Sequence, residues 1–203
     1  APDLKVVVLE ADFCGSGASG RNGGQVHTWF AELDLLSKVV GADEALQLCH
    51  DTAAAIDELE ALQTSGTIDM DLRLDGWLWT ASSTAQEGAW DGAMALCQAA
   101  GEDHRFASLG AAEILARSGS AASYAGVAER RAGTVHPAKL ALGLRDLALA
   151  RGVVIHERSP VTEIQPGEIC TLRTKGGSLR AGRVVLAANA WLSALPELRR
   201  YLF

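Results

Sequence analysis

The sequence predicts an α/β fold: part of a Rossmann-like nucleotide-binding sheet, interrupted by part of a helix-rich α+β domain. Three observations predict it. Leu4-Lys5-Val6-Val7-Val8-Leu9-Glu10 is a short apolar run closed by an acid, the pattern of the second strand of a dinucleotide-binding unit. Residues 137–152 have the pattern of a helix, and Val153-Val154-Ile155 follows as a buried strand. That helix-then-strand order packs onto a parallel sheet. Arg183-Val184-Val185-Leu186-Ala187-Ala188-Asn189-Ala190 reads as a third buried strand, running into small residues that let a ligand approach the backbone. Residues 4–10, 153–157 and 183–188 are therefore expected to share one sheet.

A strand ending in such an acid normally follows a first strand, a glycine turn and a helix. Only Ala1-Pro2-Asp3 precedes this one, so the chain is expected to be a piece of a larger protein. Next, Gly15-Ser16-Gly17-Ala18-Ser19-Gly20 matches G-x-G-x-x-G, and Asp34 lies where a ribose-binding acid would follow. A dinucleotide fingerprint has to open a helix, however. Arg21-Asn22-Gly23-Gly24-Gln25 carries two glycines, each disfavouring a helix by about 1 kcal/mol relative to alanine. Residues 15–25 are expected to be mostly non-helical, at least through Ser19, which sets aside a nicotinamide-type reading of the motif. Their backbone N–H groups and the fixed charge of Arg21 suit a pyrophosphate or an electron-rich ring.

From Trp29 to about Gly133 the pattern turns helical. Leu46, Cys49, Ala53, Ile56 and Leu59 form one helical apolar face, with Asp43 and Glu44 complementing the dipole at its start. Residues 76–81 read as a strand, 85–100 as a helix stopped by Gly101, 111–117 as a shorter helix and 120–127 as a strand. Trp77 and Trp79 share a strand face and are read as core packing, with an amine-binding wall as the sharper alternative. His27 is read as half-buried and hydrogen-bonded, and His136 as part of a turn and cap. Pro137 opens the next helix, Leu140, Leu144 and Leu147 form its stripe, and Gly152 stops it. Residues 168–174 and 178–181 read as strands of a hairpin turning at Lys175-Gly176-Gly177.

Composition narrows the partners. A formal net charge of −7 argues against nucleic acid and anionic membrane surfaces. No apolar run reaches the 18 or so residues of a membrane span. Cys14, Cys49, Cys97 and Cys170 are far apart and form no C-x-x-C, so they are read as buried or half-buried thiols of a cytoplasmic protein. No histidine has metal-ligand spacing, and no metal is expected.

Five segments, in order and spacing, resemble the FAD-dependent amine and amino-acid oxidases of the D-amino-acid oxidase superfamily. They are Val8-Leu9-Glu10-Ala11, Gly17-Ala18-Ser19-Gly20-Arg21-Asn22-Gly23-Gly24-Gln25, Gly133-Thr134-Val135-His136-Pro137, Val161-Thr162-Glu163-Ile164 and Val184-Val185-Leu186-Ala187-Ala188-Asn189-Ala190-Trp191. The glycine loop, the His-Pro helix start and the Ala-Asn-Ala-Trp strand end look most like the γ-glutamylputrescine oxidase branch. The resemblance implies a partial FAD/NAD(P)-binding Rossmann-like domain over residues 1–28 and 134–203, and part of a substrate domain over 29–133. It implies that Glu10, with Ala11 beside it, serves the adenosine ribose. Ala18 and Ser19 would line the pyrophosphate path, and Arg21, Asn22, Gly23, Gly24 and Gln25 would run along the flavin ring. Val161 would meet the adenine through its backbone, and Ala187, Ala188 and Asn189 would lie close to the cofactor.

The resemblance also implies a small amine or amino-acid substrate and hydride transfer to flavin. The family's N-terminal glycine fingerprint and its later half have no counterpart in these residues. The chain alone is accordingly expected to bind FAD poorly and to be inactive, and no catalytic residue is assigned. The rival expectation is a non-catalytic piece that binds no cofactor and self-associates through exposed sheet edges.

Overall fold

The computed structural model describes residues 4–194 and 199. In chain order the elements are β1 (Val7–Leu9), α1 (Ala18–Arg21), β2 (Gln25–Val26), α2 (Leu33–Val40), α3 (Ala42–Thr64), β3 (Trp77–Ala81), α4 (Asp91–Ala99), β4 (Phe106–Gly110), α5 (Ala111–Ser118), β5 (Ala125–Glu129), β6 (Gly133–Thr134), α6 (Pro137–Ala150), β7 (Val154–His156), β8 (Val161–Gln165), β9 (Cys170–Thr174) and β10 (Gly177–Ala181). The chain divides into two compact units, Ala1–Phe13 with Gly152–Phe203, and Cys14–Arg151.

In the first unit β1 and β7 pair in parallel, with Val7 opposite Val154 and Leu9 opposite His156. Two of the three strands expected to share a sheet therefore do. The third does not form: residues 183–188 are in no strand, and Val185 is 89% exposed. An apolar run predicts burial, but a strand also needs a neighbour for its N–H and C=O groups. No described strand pairs with this one. The same unit holds an antiparallel meander ordered β10-β9-β8. Its hairpin turns where expected, at Lys175-Gly176. Strand β8 is an edge, with a bulge between Val161 and Glu163.

The second unit is built on the antiparallel sheet β3-β5-β4, in which β5 is central. Its core gathers Phe30, Leu33, Ala45, Cys49, Cys97, Phe106 and Val127. Helix α3 turns the small residues Ala45, Cys49 and Ala53 inward, on the face its periodicity predicted. A second cluster is centred on Ile68, Met70 and Leu72, packed on by Leu59, Leu62, Leu140 and Leu147. The segment holding these three is irregular. Its backbone is satisfied in part by Gln63, whose side chain accepts from Leu72 N at 2.6 Å and donates to Leu72 O at 3.0 Å. Leu144 was expected in the stripe of α6 but is 45% exposed.

Three further expectations are corrected. The helix over 85–100 is confined to Asp91–Ala99, because Gly88 takes φ +72 and breaks the run. The strand over 120–127 begins only at Ala125 and continues to Glu129. Ser118 and Ser120 side-chain oxygens accept from nearby backbone N–H groups and hold residues 118–122 in a turn. Finally, Ala18 and Ser19 are helical, in the single turn α1. A Cβ on Gly20 would lie 2.1 Å from Gly15 O, so the turn closes against backbone that only glycine admits. The helix goes no further, and β2 follows it. Asn22 ends it, donating to Ala18 O at 3.0 Å and accepting from Gly24 N at 2.7 Å. Among the described residues no helix is long and apolar enough to cross a membrane.

Candidate functional site

In the second unit, residues from the glycine loop open onto a cleft of ≈ 430 Å³. Its floor is apolar, made by Ile56 and Leu59 of α3 with Val135 and Leu140. Its polar rim carries Ser19, Asn22, Gln25, His27 and Thr52, and Trp29 closes one side. An apolar cavity of a few hundred Å³ with few polar groups is the usual form of a small-molecule site.

The loop reaches this place through one short ladder. Strand β2 pairs antiparallel with β6, Gln25 opposite Thr134. Val135 N donates to Gly24 O at 2.8 Å. Gly24 is buried at φ +71, and a Cβ there would lie 2.1 Å from Val135 O. Only glycine fits. Two motifs singled out separately in the sequence, the Gly-Gly-Gln loop and the Thr-Val-His-Pro helix start, are thus one structural feature. His136 caps α6, its ring Nδ1 accepting from Lys139 N at 3.4 Å, as the turn-and-cap reading expected.

Of the sequence-predicted residues, Ser19, Asn22 and Gln25 meet at the cleft. Ala18, Arg21 and Gly23 lie beside them in the loop with exposed side chains or backbone and do not line it, nor does buried Gly24. Glu10, Ala11, Val161, Ala187, Ala188 and Asn189 belong to the other unit. Glu10 directly follows β1, and its carboxylate accepts from Asp12 N at 3.0 Å. Val161 sits on the edge strand at the bulge. Ala187, Ala188 and Asn189 are exposed, and Asn189 has φ +46.

The aromatic residues form a chain of ring contacts behind the cleft. His27 stacks on Trp77 at 5.6 Å between centroids and 18° between planes. Trp77 meets Trp79 at 5.9 Å, and Trp79 meets Trp90 edge-on at 6.1 Å. Both Trp77 and Trp79 pack on the core, as expected of them. Burial pushes the Cys49 and Cys97 thiols up to about 11, so both stay protonated at neutral pH and serve as core packing.

Sequence reasoning missed Glu129, a fully buried acid on the central strand. Its Oε1 accepts from Thr28 N at 3.2 Å and from the Thr28 hydroxyl. Burial, foremost, holds its carboxyl above the usual carboxylate range, against the lowering effect of the two Thr28 bonds. The strand alternation Val127, Glu129 was the available signal, since it places an acid on an apolar face.

A model of the protein family described as FAD dependent oxidoreductase matches residues 1–202. Gamma-glutamylputrescine oxidoreductase of Escherichia coli (strain K12) is 32% identical over 199 residues, taking in 96% of this chain and 46% of that protein. The crystal structure of glycine oxidase from Geobacillus kaustophilus superposes with a TM-score of 0.78 at 25% identity, covering 95% of this chain and 51% of that one. The dithionite-reduced L-alpha-glycerophosphate oxidase from Mycoplasma pneumoniae, with FAD bound, shares the fold. Its TM-score is 0.70 at 18% identity, over 97% of this chain and 50% of that one. The chain spans about half the length of the curated relatives it matches. The α/β class with a partial Rossmann-like FAD-binding domain, read from the sequence, agrees with the match to these structures and to the family.

Proposed function

Because the chain belongs to the FAD-dependent oxidoreductases, a family that takes in amine and amino-acid oxidases, we propose that it forms part of an enzyme oxidising the C–N bond of a small amine or amino acid. The observation that carries the reading is the cleft itself. Three residues assigned to the cofactor loop from sequence line it with an apolar floor between them.

The residues suit a flavin dinucleotide. A Cβ on Gly17 or Gly23 would meet no atom within 4 Å, so the loop backbone there is open to close approach. The unpaired edge of β8 at Val161 leaves backbone groups for an adenine. In this proposal residues 1–28 and 134–203 are the cofactor half, and 29–133 belong to the substrate half. Glu10 and Ala11 serve the ribose, Ala18 and Ser19 the pyrophosphate, and Arg21, Asn22, Gly23, Gly24 and Gln25 the ring. Ala187, Ala188 and Asn189 admit the cofactor by their smallness.

When bound, FAD supplies the acceptor for a hydride leaving the carbon next to the amine nitrogen. The chain's own part is to bind and orient. The apolar floor of Ile56, Leu59, Val135 and Leu140 excludes water from the reacting carbon. The Gln25 amide and the Nε2 edge of the His27 ring offer hydrogen bonds at the rim, while the Asn22 amide is held by the loop's own backbone. A cytoplasmic location, which the four widely spaced cysteines suit, belongs to the same proposal.

The second reading is a non-catalytic piece that binds no cofactor and associates with itself. The absence of a ladder for residues 183–188 and the exposure of Trp191, at 82%, favour it. Titration with FAD, followed by flavin fluorescence, tests the two. The family reading expects weak binding by these 203 residues, and stoichiometric binding by a polypeptide of the relatives' full length. The absence of flavin from that longer polypeptide refutes it.

A further inference from the structure

Glu129 lies opposite Trp77 on one neighbouring strand and Phe106 on the other. Its Oε1 holds both the N–H and the hydroxyl of Thr28. Its Oε2 is buried with no hydrogen-bond partner among the described residues. Thr28 is itself fully buried, and its Oγ1 accepts from Phe30 N at 3.3 Å. One carboxyl therefore locks the chain where it leaves β2 and enters the turn at Phe30. The residues on either side of the lock, His27 and Trp29, both line the cleft. His27 is tied further: its Nδ1 lies 3.0 Å from Thr28 O, and its ring stacks on Trp77, the ladder partner of Glu129.

We propose that Glu129 is a positioning residue, which grips Thr28 and so sets His27 and Trp29 as a wall of the cleft. That the wall faces a flavin or an amine rests on the function proposed above; the grip itself does not.

Either protonation state leaves Oε2 without a partner, so burial decides which one does the gripping. A bare carboxylate would leave a charged oxygen buried without a donor, the costlier arrangement. A neutral acid keeps Oε1 as acceptor for Thr28 and carries no buried charge. The groups that face it are His27 after β2, Arg105 before β4, Cys49 of α3 and Cys97 of α4. Arg105 is already engaged, 2.8 Å from Glu102 and 4.4 Å above the Phe30 ring. The two thiols are neutral. Burial raises the Glu129 carboxyl, so its ionisation with rising pH puts a charge beside Thr28 and His27.

The test is NMR on the 203-residue chain, following the Thr28 amide and the His27 ring, the latter assigned with His27→Asn. In the native chain the Thr28 amide should move with pH in a step set by Glu129. Glu129→Gln keeps an acceptor oxygen, so it should retain the native positions of both signals and abolish the step. Glu129→Leu removes the acceptor, and both signals should shift, while the Ala81, Gly110 and Ala125 amides, at the far end of the same sheet, report that the unit is still folded. If Glu129→Leu fails to fold, the Gln variant decides alone. An unchanged pH step in Glu129→Gln, or an unmoved His27 ring in a folded Glu129→Leu, overturns the proposal. None of these readouts needs flavin, so failure to bind FAD would count against the proposed function and leave this inference standing.

Discussion

Replacing Gly24 with alanine should unseat the loop from the helix start it rests on. Gly24 has φ +71, a region that costs an L-residue about 1–2 kcal/mol. The new Cβ would stand 2.1 Å from Val135 O and 3.3 Å from the Pro137 ring carbons, so the two backbones must part by nearly an ångström. That movement stretches the 2.8 Å bond from Val135 N to Gly24 O, whose net worth is about 0.5–1.5 kcal/mol. Together the variant should lose about 2–3 kcal/mol, which in a chain of this size lowers the unfolding midpoint by on the order of 5–10 °C. Thermal and urea unfolding, read by tryptophan fluorescence, measures it. Gly23→Ala is the matched control, because a Cβ there meets nothing within 4 Å and its φ is not positive. It should stay within about 0.5 kcal/mol of the native chain. Equal midpoints for the two variants would refute the argument from close approach.

Two other outcomes follow from the same structure. The Glu129 carboxyl is raised on folding, so the native state holds its proton more tightly than the unfolded state, whose value is near 4.5. Its stabilising contribution is complete below that pH and is lost as pH rises through the native value. Urea unfolding across that window should show a falling limb in the native chain that Glu129→Gln flattens; parallel profiles would count against it. In α6, Gly143→Ala gains about 1 kcal/mol of helix propensity. It also drives a Cβ to 2.3 Å from Ile68 Cγ2, an overpacking of about 1–3 kcal/mol. The net should be a loss, relieved by Ile68→Ala in a double-mutant cycle, and additivity there would show that the two residues do not meet.

Where the pattern was local, the sequence was readable. The apolar run into Glu10, the stripe of α3, the Pro137 start of α6 and the hairpin at Lys175-Gly176 each depend on neighbours a few positions away. The errors arose where a distant partner decides. Residues 183–190 are apolar enough for a strand, yet no described strand pairs with them. The turn α1 forms against glycine propensity because Gly20 closes on Gly15. The buried segment around Met70 has no period at all, and Gln63 holds it from the preceding helix. The site divides in the same way. Ser19, Asn22 and Gln25 stood out in a motif, whereas Ala-Glu-Arg-Arg at Glu129 reads as a solvated charge run until its two flanking strands cover it.

Thr28 and Glu129 are 101 positions apart, and the pairs Gln25–Thr134 and Gly24–Val135 span a similar distance. Bringing ends so far apart together costs on the order of 4 kcal/mol in chain entropy. The first tether to form incurs that loss, and the other two then close over a few residues at little further expense. No single tether is strong enough to persist alone, so the three behave as one latch. Hydrogen exchange should find the amides of Thr28 and Val135 released by the same opening event, and a weakness introduced at either Gly24 or Glu129 should spread to both. The segment from Gly24 to Thr28 therefore cannot settle until the stretch from Glu129 to Val135 exists to receive it, which makes the loop at the cleft among the last parts of this unit to become ordered as the chain is synthesised.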